Sequence, residues 1–142
     1  PREFVKEEPL VSVVVRTHKR KEVLRRTLKS LENQLYKNFE VVIVEDGENT
    51  AENMVKSDFP SLNINYFATG ENVGRGRAGN IGIERAKGDY FIFFDSDCVI
   101  PPQYFEALKA SLKKQPVDCF GGPDAASADF NAVAISVSAG KR

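Results

Sequence analysis

Short runs of β-branched and aromatic residues alternate along most of the chain with longer stretches in which apolar residues recur at helical spacing. Most of the runs are almost entirely apolar, which is typical of strands that are buried on both faces of a parallel sheet. Because strand and helix patterns alternate, we predict an α/β fold in which helices cover both faces of a mostly parallel sheet. The five predicted strands are Val11–Val15, Val41–Val44, Leu62–Phe67, Tyr90–Phe94 and Val117–Phe120.

The intervening stretches predict four helices, in which apolar side chains recur every three or four residues. After residue 123 the alternation fades, so we expect the sheet to be cut short after its fifth strand. The predicted helices run over Arg20–Gln34, from Asn49 or Thr50 to Lys56, over Arg77–Lys87, and onward from Pro101. The expected organisation is an N-terminal extension over residues 1–9, a domain over residues 10–123, and the start of an incomplete further region over residues 124–142.

The composition narrows the classes of function. Of the 142 residues, 42% are hydrophobic and 28% are charged, as in a folded soluble domain. The 20 basic residues balance the 20 acidic ones, which argues against a polybasic protein that binds nucleic acid. No apolar run approaches the ~20 residues that span a bilayer. We therefore expect a cytoplasmic protein, associated with a membrane only through segments outside this chain.

Polar residues directly follow three of the predicted strands. In open α/β sheets, ligands bind outside the carboxyl ends of the strands. Because these ends meet at one edge of a parallel sheet, we expect the residues that follow the strands to form one binding site. They are Arg16 and Thr17 after the first strand, Glu45 and Asp46 after the second, and Asp95, Ser96 and Asp97 after the fourth.

Asp95 and Asp97 are the main candidates for a metal site. Unpaired carboxylates at the end of a buried strand are unfavourable unless a partner offsets them, and the chain after them contains no lysine or arginine before Lys109. Oxygen ligands without histidine or cysteine favour a hard ion such as Mg²⁺ or Mn²⁺. The alternative is that one of the two aspartates caps the helix that begins near Pro101.

Asp46 and Thr17 each have two interpretations. Asp46 can bind a base or a ribose hydroxyl, or it can satisfy the backbone of its own turn. Thr17 can bind the same ligand, or it can cap the helix that follows. His18 is the single histidine of the chain, and we interpret it as a surface or packing residue rather than as a catalyst.

The segment Gly74–Gly79 matches the G-x-G-x-x-G pattern of dinucleotide-binding proteins. That pattern belongs directly after the first strand, whereas here it follows the third. We therefore interpret the match as coincidental. The glycines still allow backbone N–H groups to approach a phosphate at a helix N-terminus, where Arg75 and Arg77 add positive charge.

Five features occur in order along the chain: Val11–Arg20, Asn38–Gly47, Asn72–Gly74 with Ala78–Gly82, Ala86–Tyr90, and Asp95–Asp97. Together they resemble the family 2 glycosyltransferases of GT-A (Rossmann-like) fold. The resemblance implies an inverting, metal-dependent transferase that moves a sugar from a nucleoside-diphosphate sugar, often a UDP-sugar, to a hydroxyl group. The acceptor that it implies is a saccharide or a lipid-linked saccharide.

The same resemblance assigns roles to particular residues. It implies that Thr17 and Asp46 contact the nucleoside and that Asp95 lies near the ribose and the metal. It also implies that Asp97 binds the Mg²⁺ or Mn²⁺ ion that bridges the diphosphate.

Several positions depart from the family's pattern. Arg16 stands where the family usually has proline, and Gly79 stands where it often has arginine, so Arg75 and Arg77 are the expected substitutes. The family's catalytic base is an acid well downstream of the Asp-x-Asp motif. We expect it beyond Arg142 and assign no catalytic residue within this chain. The resemblance therefore implies a fragment that transfers sugar poorly or not at all, with a donor-binding domain over residues 10–123 and the start of a truncated acceptor-side region over residues 124–142.

Three other classes of function stay open from the sequence. A nucleotidyltransferase shares the layout and the acidic metal site, but it normally has a glycine-rich loop after the first strand, where this chain has no glycine. A non-catalytic module that binds a nucleotide or a partner is the second class, and it predicts binding that does not depend on Asp97. A dinucleotide-binding domain is the third.

Overall fold

The computed structural model of the chain describes residues 8–114, 119–120 and 134–137. No helix within these ranges combines the length and the apolarity needed to cross a membrane. In chain order the elements are β1 (Val11–Thr17), α1 (Lys21–Glu32), β2 (Phe39–Glu45), α2 (Glu52–Asp58), β3 (Ile64–Ala68), α3 (Arg75–Arg85), β4 (Tyr90–Asp95), α4 (Tyr104–Lys114), β5 (Cys119–Phe120) and β6 (Ala134–Val137).

The described strands form one sheet in the order β3-β2-β1-β4-β6-β5. The first four strands of the chain run parallel, whereas β6 runs antiparallel to both β4 and β5. The predicted α/β class with a mostly parallel sheet is therefore confirmed. The chain moves outward from β1 to β3 and then returns to the other side of β1 to form β4. The strand order thus reverses between β1 and β4, and ligands of open α/β sheets bind at such a reversal point.

Both faces of β1 and β2 are buried, as their apolar sequences predict, whereas β3 at the edge of the sheet is half-buried, as its alternating sequence predicts. Successive side chains of a strand point to opposite faces, and here each face has its own core. On one face, Val13 and Ile43 belong to a core that includes Leu28 of α1 and side chains of α2 and α4. On the other face, Val14 and Val42 belong to a core with side chains of α3. Helices therefore cover both faces of the sheet.

The third helix begins earlier than the spacing predicts. α3 starts at Arg75 rather than at Arg77, directly after Gly74, whose φ is 94°. Residues other than glycine rarely adopt this backbone conformation, so Gly74 fixes the point where the loop ends. Both arginines consequently lie in the first turn of α3.

Among the described residues the sheet has six strands rather than the predicted five. β6 inserts between β4 and β5, and its residues Ala134–Val137 are too few to show a clear alternation of apolar and polar positions. Cys119 and Phe120 form β5, whereas residues 117 and 118 of the predicted fifth strand lie outside the described residues. The boundary at residue 123 and most of the region over residues 124–142 also lie outside them and stay predictions.

A buried polar network joins β1 and β2 to the loop that precedes β4. The Glu40 carboxylate accepts hydrogen bonds from the Ser12 hydroxyl at 2.6 Å and from the backbone N–H just before Gly88 at 2.5 Å. Ser12 Oγ accepts a further bond from the N–H of Gly88 at 2.7 Å. Buried polar groups of folded proteins are nearly always paired in this way, and the network fixes the start of β4 beside β1. The resulting register places Asp95 opposite Arg16 at the far end of the two strands.

Candidate functional site

A cleft of about 380 Å³ lies at the carboxyl ends of β1, β2 and β4, beside the point where the strand order reverses. A volume of this size is typical of sites that bind small molecules. Residues predicted from all three strand ends lie together in its lining, and most of the lining side chains are polar or charged. The lining consists of Arg16, Thr17, His18, Arg20, Asp46, Arg75, Ala78, Asp95, Ser96 and Asp97.

Asp95 pairs with an arginine of the neighbouring strand. Arg16 and Asp95 are partners in the register of β1 and β4, and Arg16 Nη2 lies 3.0 Å from Asp95 Oδ1. The side chain of Arg16 is 21% exposed and that of Asp95 is 48% exposed. The sequence offers no cation shortly after Asp95, but the parallel pairing of segments 79 residues apart supplies one. A divalent ion is therefore not the sole partner available to this carboxylate.

Asp97 has a looser partner. Arg20 Nη1 lies 3.8 Å from Asp97 Oδ2, and both side chains are more than half exposed. Ion pairs with this exposure contribute about 0–1 kcal/mol, so Asp97 stays available to another cation. Neither aspartate caps the following helix, because α4 begins only at Tyr104.

Polar side chains of α1 hold the turn that carries the two aspartates. Thr27 is fully buried, and its Oγ1 lies 2.6 Å from the carbonyl oxygens of both Ser96 and Cys98. Ser30 Oγ accepts a hydrogen bond from the N–H of Ile100 at 3.0 Å. These positioning residues were not predicted from the sequence. The available signal was a pair of polar residues three positions apart on the leucine-rich face of the helix, where apolar residues are expected.

Asp46 lines the cleft and also holds the loop before α3. Its Oδ1 accepts a hydrogen bond from the N–H of Val73 at 2.7 Å, and its Oδ2 accepts one from the N–H of Gly74 at 2.9 Å. Asp46 therefore satisfies backbone groups, as one interpretation predicted, but those of a distant loop rather than of its own turn. Because this loop leads directly into α3, Asp46 also determines where Arg75 enters the cleft.

Glu45 and Arg77 were predicted with the other site residues, but neither lines the cleft. The Glu45 carboxylate accepts hydrogen bonds from the N–H of Thr50 at 2.9 Å and from the hydroxyl groups of Thr50 and Tyr66. Burial by itself would raise the pKa of Glu45, but these hydrogen bonds outweigh it and lower the pKa below its usual value. Through these hydrogen bonds, Glu45 links the segment before α2 and strand β3 to the end of β2. A contact of Glu45 or Arg77 with a donor stays a prediction.

Two buried polar atoms at the cleft have no hydrogen-bond partner within the described part of the chain. They are Arg16 Nε and Thr17 Oγ1, and Thr17 is only 6% exposed. Buried polar groups are rarely left without a partner, so a water molecule or a ligand atom is the expected partner of these two atoms. They distinguish the wall of the cleft from the well-paired polar groups in the interior of the sheet.

His18 and Lys19 shape the loop that borders the cleft after β1. His18 Nδ1 lies 2.5 Å from the carbonyl oxygen of Asp46, and a carbonyl can only accept, so Nδ1 carries the proton. Lys19 has a φ of 52°, in the left-handed region that residues other than glycine seldom adopt. His18 is exposed, as predicted, and the structure adds that it lines the cleft.

A comparison with known protein families identifies the chain. The model of the family described as glycosyl transferase family 2 matches residues 12–132. The chain belongs to glycosyl transferase family 2. The resemblance seen in the sequence is thereby confirmed, and the matched region contains every residue that lines the cleft.

The similarity to an individual protein agrees with the family assignment. The chain is 31% identical over 109 residues to the glycosyltransferase GlyA of Streptococcus pneumoniae. The matched residues make up 76% of this chain and 16% of GlyA. This family 2 chain therefore spans less than one fifth of that relative's length.

Two solved structures share the fold. TarS 1–349 of S. aureus in complex with UDP-GlcNAc matches with a TM-score of 0.70 and 26% identity, over 77% of this chain and 32% of that one. The mannosyltransferase PcManGT from Pyrobaculum calidifontis, in complex with GDP-Man and Mn²⁺, matches with a TM-score of 0.71 and 21% identity, over 87% and 39% of the two chains. The second likeness, at its lower identity, shows the fold alone.

The family 2 chain offers two carboxylates to a divalent ion. No cluster of three or more histidine, cysteine, aspartate or glutamate side chains is arranged to hold a metal within residues 8–114 and the two short described strands. Asp95 and Asp97 are about half exposed and supply oxygen ligands. Such a set suits Mg²⁺ or Mn²⁺, which keep bound water and take further ligands from phosphate groups. The residues therefore fit an ion that binds together with a phosphorylated ligand.

Proposed function

We propose that this chain is the donor-binding part of a glycosyltransferase and that its cleft binds a nucleoside-diphosphate sugar, with UDP as the nucleotide. The observation that carries the proposal is the cleft at the β1–β4 reversal point, with its arginines, its aspartates and its two unpartnered buried atoms. Arginine side chains match phosphate oxygens in charge and geometry. The UDP-GlcNAc bound to TarS supports a ligand of this class.

The charges in the cleft suit a diphosphate. Arg16, Arg20 and Arg75 line it, and Arg75 lies in the first turn of α3. The free N–H groups and the dipole at a helix N-terminus favour an anion at that place. We assign the diphosphate to the space between these three arginines.

The remaining assignments follow the family's pattern. Thr17 and Asp46 are assigned to the nucleoside, which suits the unpartnered hydroxyl of Thr17 and the position of Asp46 in the lining. Asp97 and Asp95 are assigned to Mg²⁺ or Mn²⁺. The ion, when bound, supplies stabilisation of the negative charge that develops on the leaving diphosphate.

The proposed reaction is a transfer with inversion to a hydroxyl group of a saccharide or a lipid-linked saccharide. Arg16 and Arg75 hold the diphosphate and stabilise the charge that it gains as the bond to the sugar breaks. The attacking hydroxyl needs a base to take its proton. The three carboxylates of the cleft have other roles: Asp46 binds two backbone N–H groups, Asp95 binds Arg16, and Asp97 is assigned to the ion. We therefore place the base outside the described residues.

Calorimetric titration of UDP into the chain tests the proposal. With Mn²⁺ present, we expect the wild type to bind UDP, and a chelator to weaken the binding. Asp97→Asn removes one negative ligand of the ion, so in Mn²⁺ its affinity for UDP is expected to fall by about tenfold or more, which corresponds to about 1.4 kcal/mol.

Glu84→Gln is the matched control, because Glu84 is an exposed acid of α3 that does not line the cleft. It is expected to bind UDP as the wild type does. UDP binding that is equal in wild type and Asp97→Asn would favour a non-catalytic nucleotide-binding module. No binding of UDP by the wild type, with or without Mn²⁺, would contradict the proposal.

A further inference from the structure

We infer that Arg16 couples the binding of the divalent ion to the binding of the diphosphate. Without a diphosphate, Arg16 holds Asp95 and keeps it from the ion. When a diphosphate binds, Arg16 turns to its oxygens and leaves Asp95 to the ion. The inference rests on the proposed function and gives Arg16, which lies on β1 outside the Asp-x-Asp motif, a second role in the control of Asp95.

The contact between Arg16 and Asp95 is built into the sheet. The two residues are register partners on adjacent parallel strands, and their side chains meet at 3.0 Å. The stem of Arg16 passes under α3, where a Cβ placed on Gly79 would lie 4.0 Å from Arg16 Cδ. With only 21% of its side chain exposed, Arg16 is held beside Asp95 by packing as well as by charge.

Asp95 does not satisfy Arg16 completely. Arg16 Nε is buried and has no partner within the described residues, and the next residue, Thr17, has an unpartnered Oγ1. A guanidinium group carries five N–H donors in a planar arrangement that matches two oxygens of a phosphate. A diphosphate in the cleft therefore supplies acceptors that Asp95 alone does not supply. This difference favours the movement of Arg16 toward the diphosphate.

Without a diphosphate, the ion meets a cleft in which two of the three lining carboxylates are already hydrogen-bonded. Asp95 Oδ1 is bound by Arg16, whose positive charge also repels a cation. Both oxygens of Asp46 accept backbone N–H groups. Asp97 is the most accessible carboxylate, because its contact with Arg20 is 3.8 Å long and more than half exposed. One accessible carboxylate is a weak site for Mg²⁺ or Mn²⁺, which need several oxygen ligands.

Coupling of this kind is reciprocal, because each ligand must change the affinity of the other by the same factor. Arg16 thus contributes in two opposite directions: it weakens the binding of the ion alone and strengthens the binding of the diphosphate alone. A residue with a purely structural role would change both affinities in the same direction when it is replaced. The opposite signs therefore separate the inference from a general loss of structure.

Two titrations of Arg16→Met test the inference. Mn²⁺ is titrated without nucleotide and followed by the electron paramagnetic resonance of the free ion, and UDP is titrated calorimetrically in the presence of a chelator. Relative to wild type, we expect Mn²⁺ to bind about tenfold more tightly and UDP to bind about tenfold more weakly, the size of effect of one charge–charge contact in a partly buried site. In Arg16→Met/Asp95→Asn, the gain in Mn²⁺ affinity is expected to disappear.

Arg26→Met is the matched control, because it removes an exposed arginine of α1 that does not line the cleft. It is expected to leave both affinities unchanged. Circular dichroism verifies the fold of each variant, and Arg16→Gln, with the same expected signs, replaces Arg16→Met if the latter does not fold.

The inference is overturned if Arg16→Met binds Mn²⁺ no more tightly than wild type, or if both affinities fall together. Failure of the proposed function gives a different result, namely a wild type that binds UDP neither with Mn²⁺ nor with chelator. In that case a gain in Mn²⁺ affinity in Arg16→Met still supports the contact of Arg16 with Asp95. Inorganic pyrophosphate then replaces UDP in the titration that tests the binding of Arg16 to a diphosphate.

Discussion

Replacement of Gly88 by alanine is expected to lower the free energy of unfolding by about 3 kcal/mol or more, as overpacking against a rigid core does. An added Cβ would lie 2.4 Å from Ser12 Oγ, 2.7 Å from the carbonyl oxygen of Leu10 and 2.8 Å from the backbone N of Ser12. The Leu10 oxygen lies in the backbone just before β1 and the Ser12 nitrogen lies within β1, so neither can move without disturbing the sheet. The hydrogen bond from Gly88 N–H to Ser12 Oγ would be lost as well. Urea denaturation measures the effect.

Gly76→Ala is the matched substitution at a position with free space. Gly76 lies in the first turn of α3, and an added Cβ would meet no atom within 4 Å. Because alanine loses less conformational freedom than glycine in a helix, this variant is expected to gain about 0.5–1 kcal/mol. Equal urea midpoints for Gly88→Ala and wild type would show that the close approach at Gly88 does not limit stability.

Replacement of Glu45 by alanine is expected to lower the free energy of unfolding by about 2–3 kcal/mol. Glu45 is buried, and its carboxylate accepts hydrogen bonds from Thr50 and Tyr66. Hydrogen bonds to a charged group contribute about 1.5–3 kcal/mol. Glu45→Gln keeps an acceptor oxygen for the same donors, so its loss is expected to be smaller. Glu48→Ala, at an exposed acid nearby, is expected to be neutral. An alanine variant as stable as wild type would contradict this role.

The Glu45 carboxylate also makes the free energy of unfolding depend on pH, in a direction that its pKa determines. The folded-state pKa of Glu45 is lowered from its usual value of 4.5, so the unfolded chain takes up the proton first as the pH falls. The contribution of Glu45 to stability is therefore present above pH 4.5 and is lost as the pH falls from there through the lowered pKa. Urea midpoints measured between pH 7 and pH 3 are expected to fall less steeply below pH 4.5 in Glu45→Ala than in wild type. Parallel curves for the two proteins would contradict the assignment.

Much of the fold could be predicted from local patterns. Apolar residues throughout Val11–Val15 and Tyr90–Phe94 indicated strands with both faces buried, and such strands require helices on both sides of the sheet. The convergence of Thr17, Asp46 and Asp95 also followed, because all parallel strands present their carboxyl ends at one edge. The strand Ala134–Val137 could not be predicted, since four residues carry too little periodicity and its place depends on β4 and β5.

The partners of the site residues could not be predicted in the same way. Glu45 and Asp46 are adjacent in the sequence and looked equivalent as site residues. In the structure, Asp46 lines the cleft, whereas Glu45 binds Thr50 and Tyr66 outside it. Adjacent residues at a strand end point to opposite sides, but the sequence does not show which side faces a ligand. Thr27 was missed for a similar reason, because its contact with the aspartate turn lies 69 residues away.

The sequence by itself determined the alternation of strands and helices, the burial of the sheet and the set of polar residues at its carboxyl edge. These properties depend on the period with which apolar side chains recur along the chain, and that period is a local property of the sequence. The tertiary structure alone decided that Arg16 pairs with Asp95. That contact requires β4 to lie beside β1 in one particular register, and register results from the packing of the whole sheet rather than from either segment.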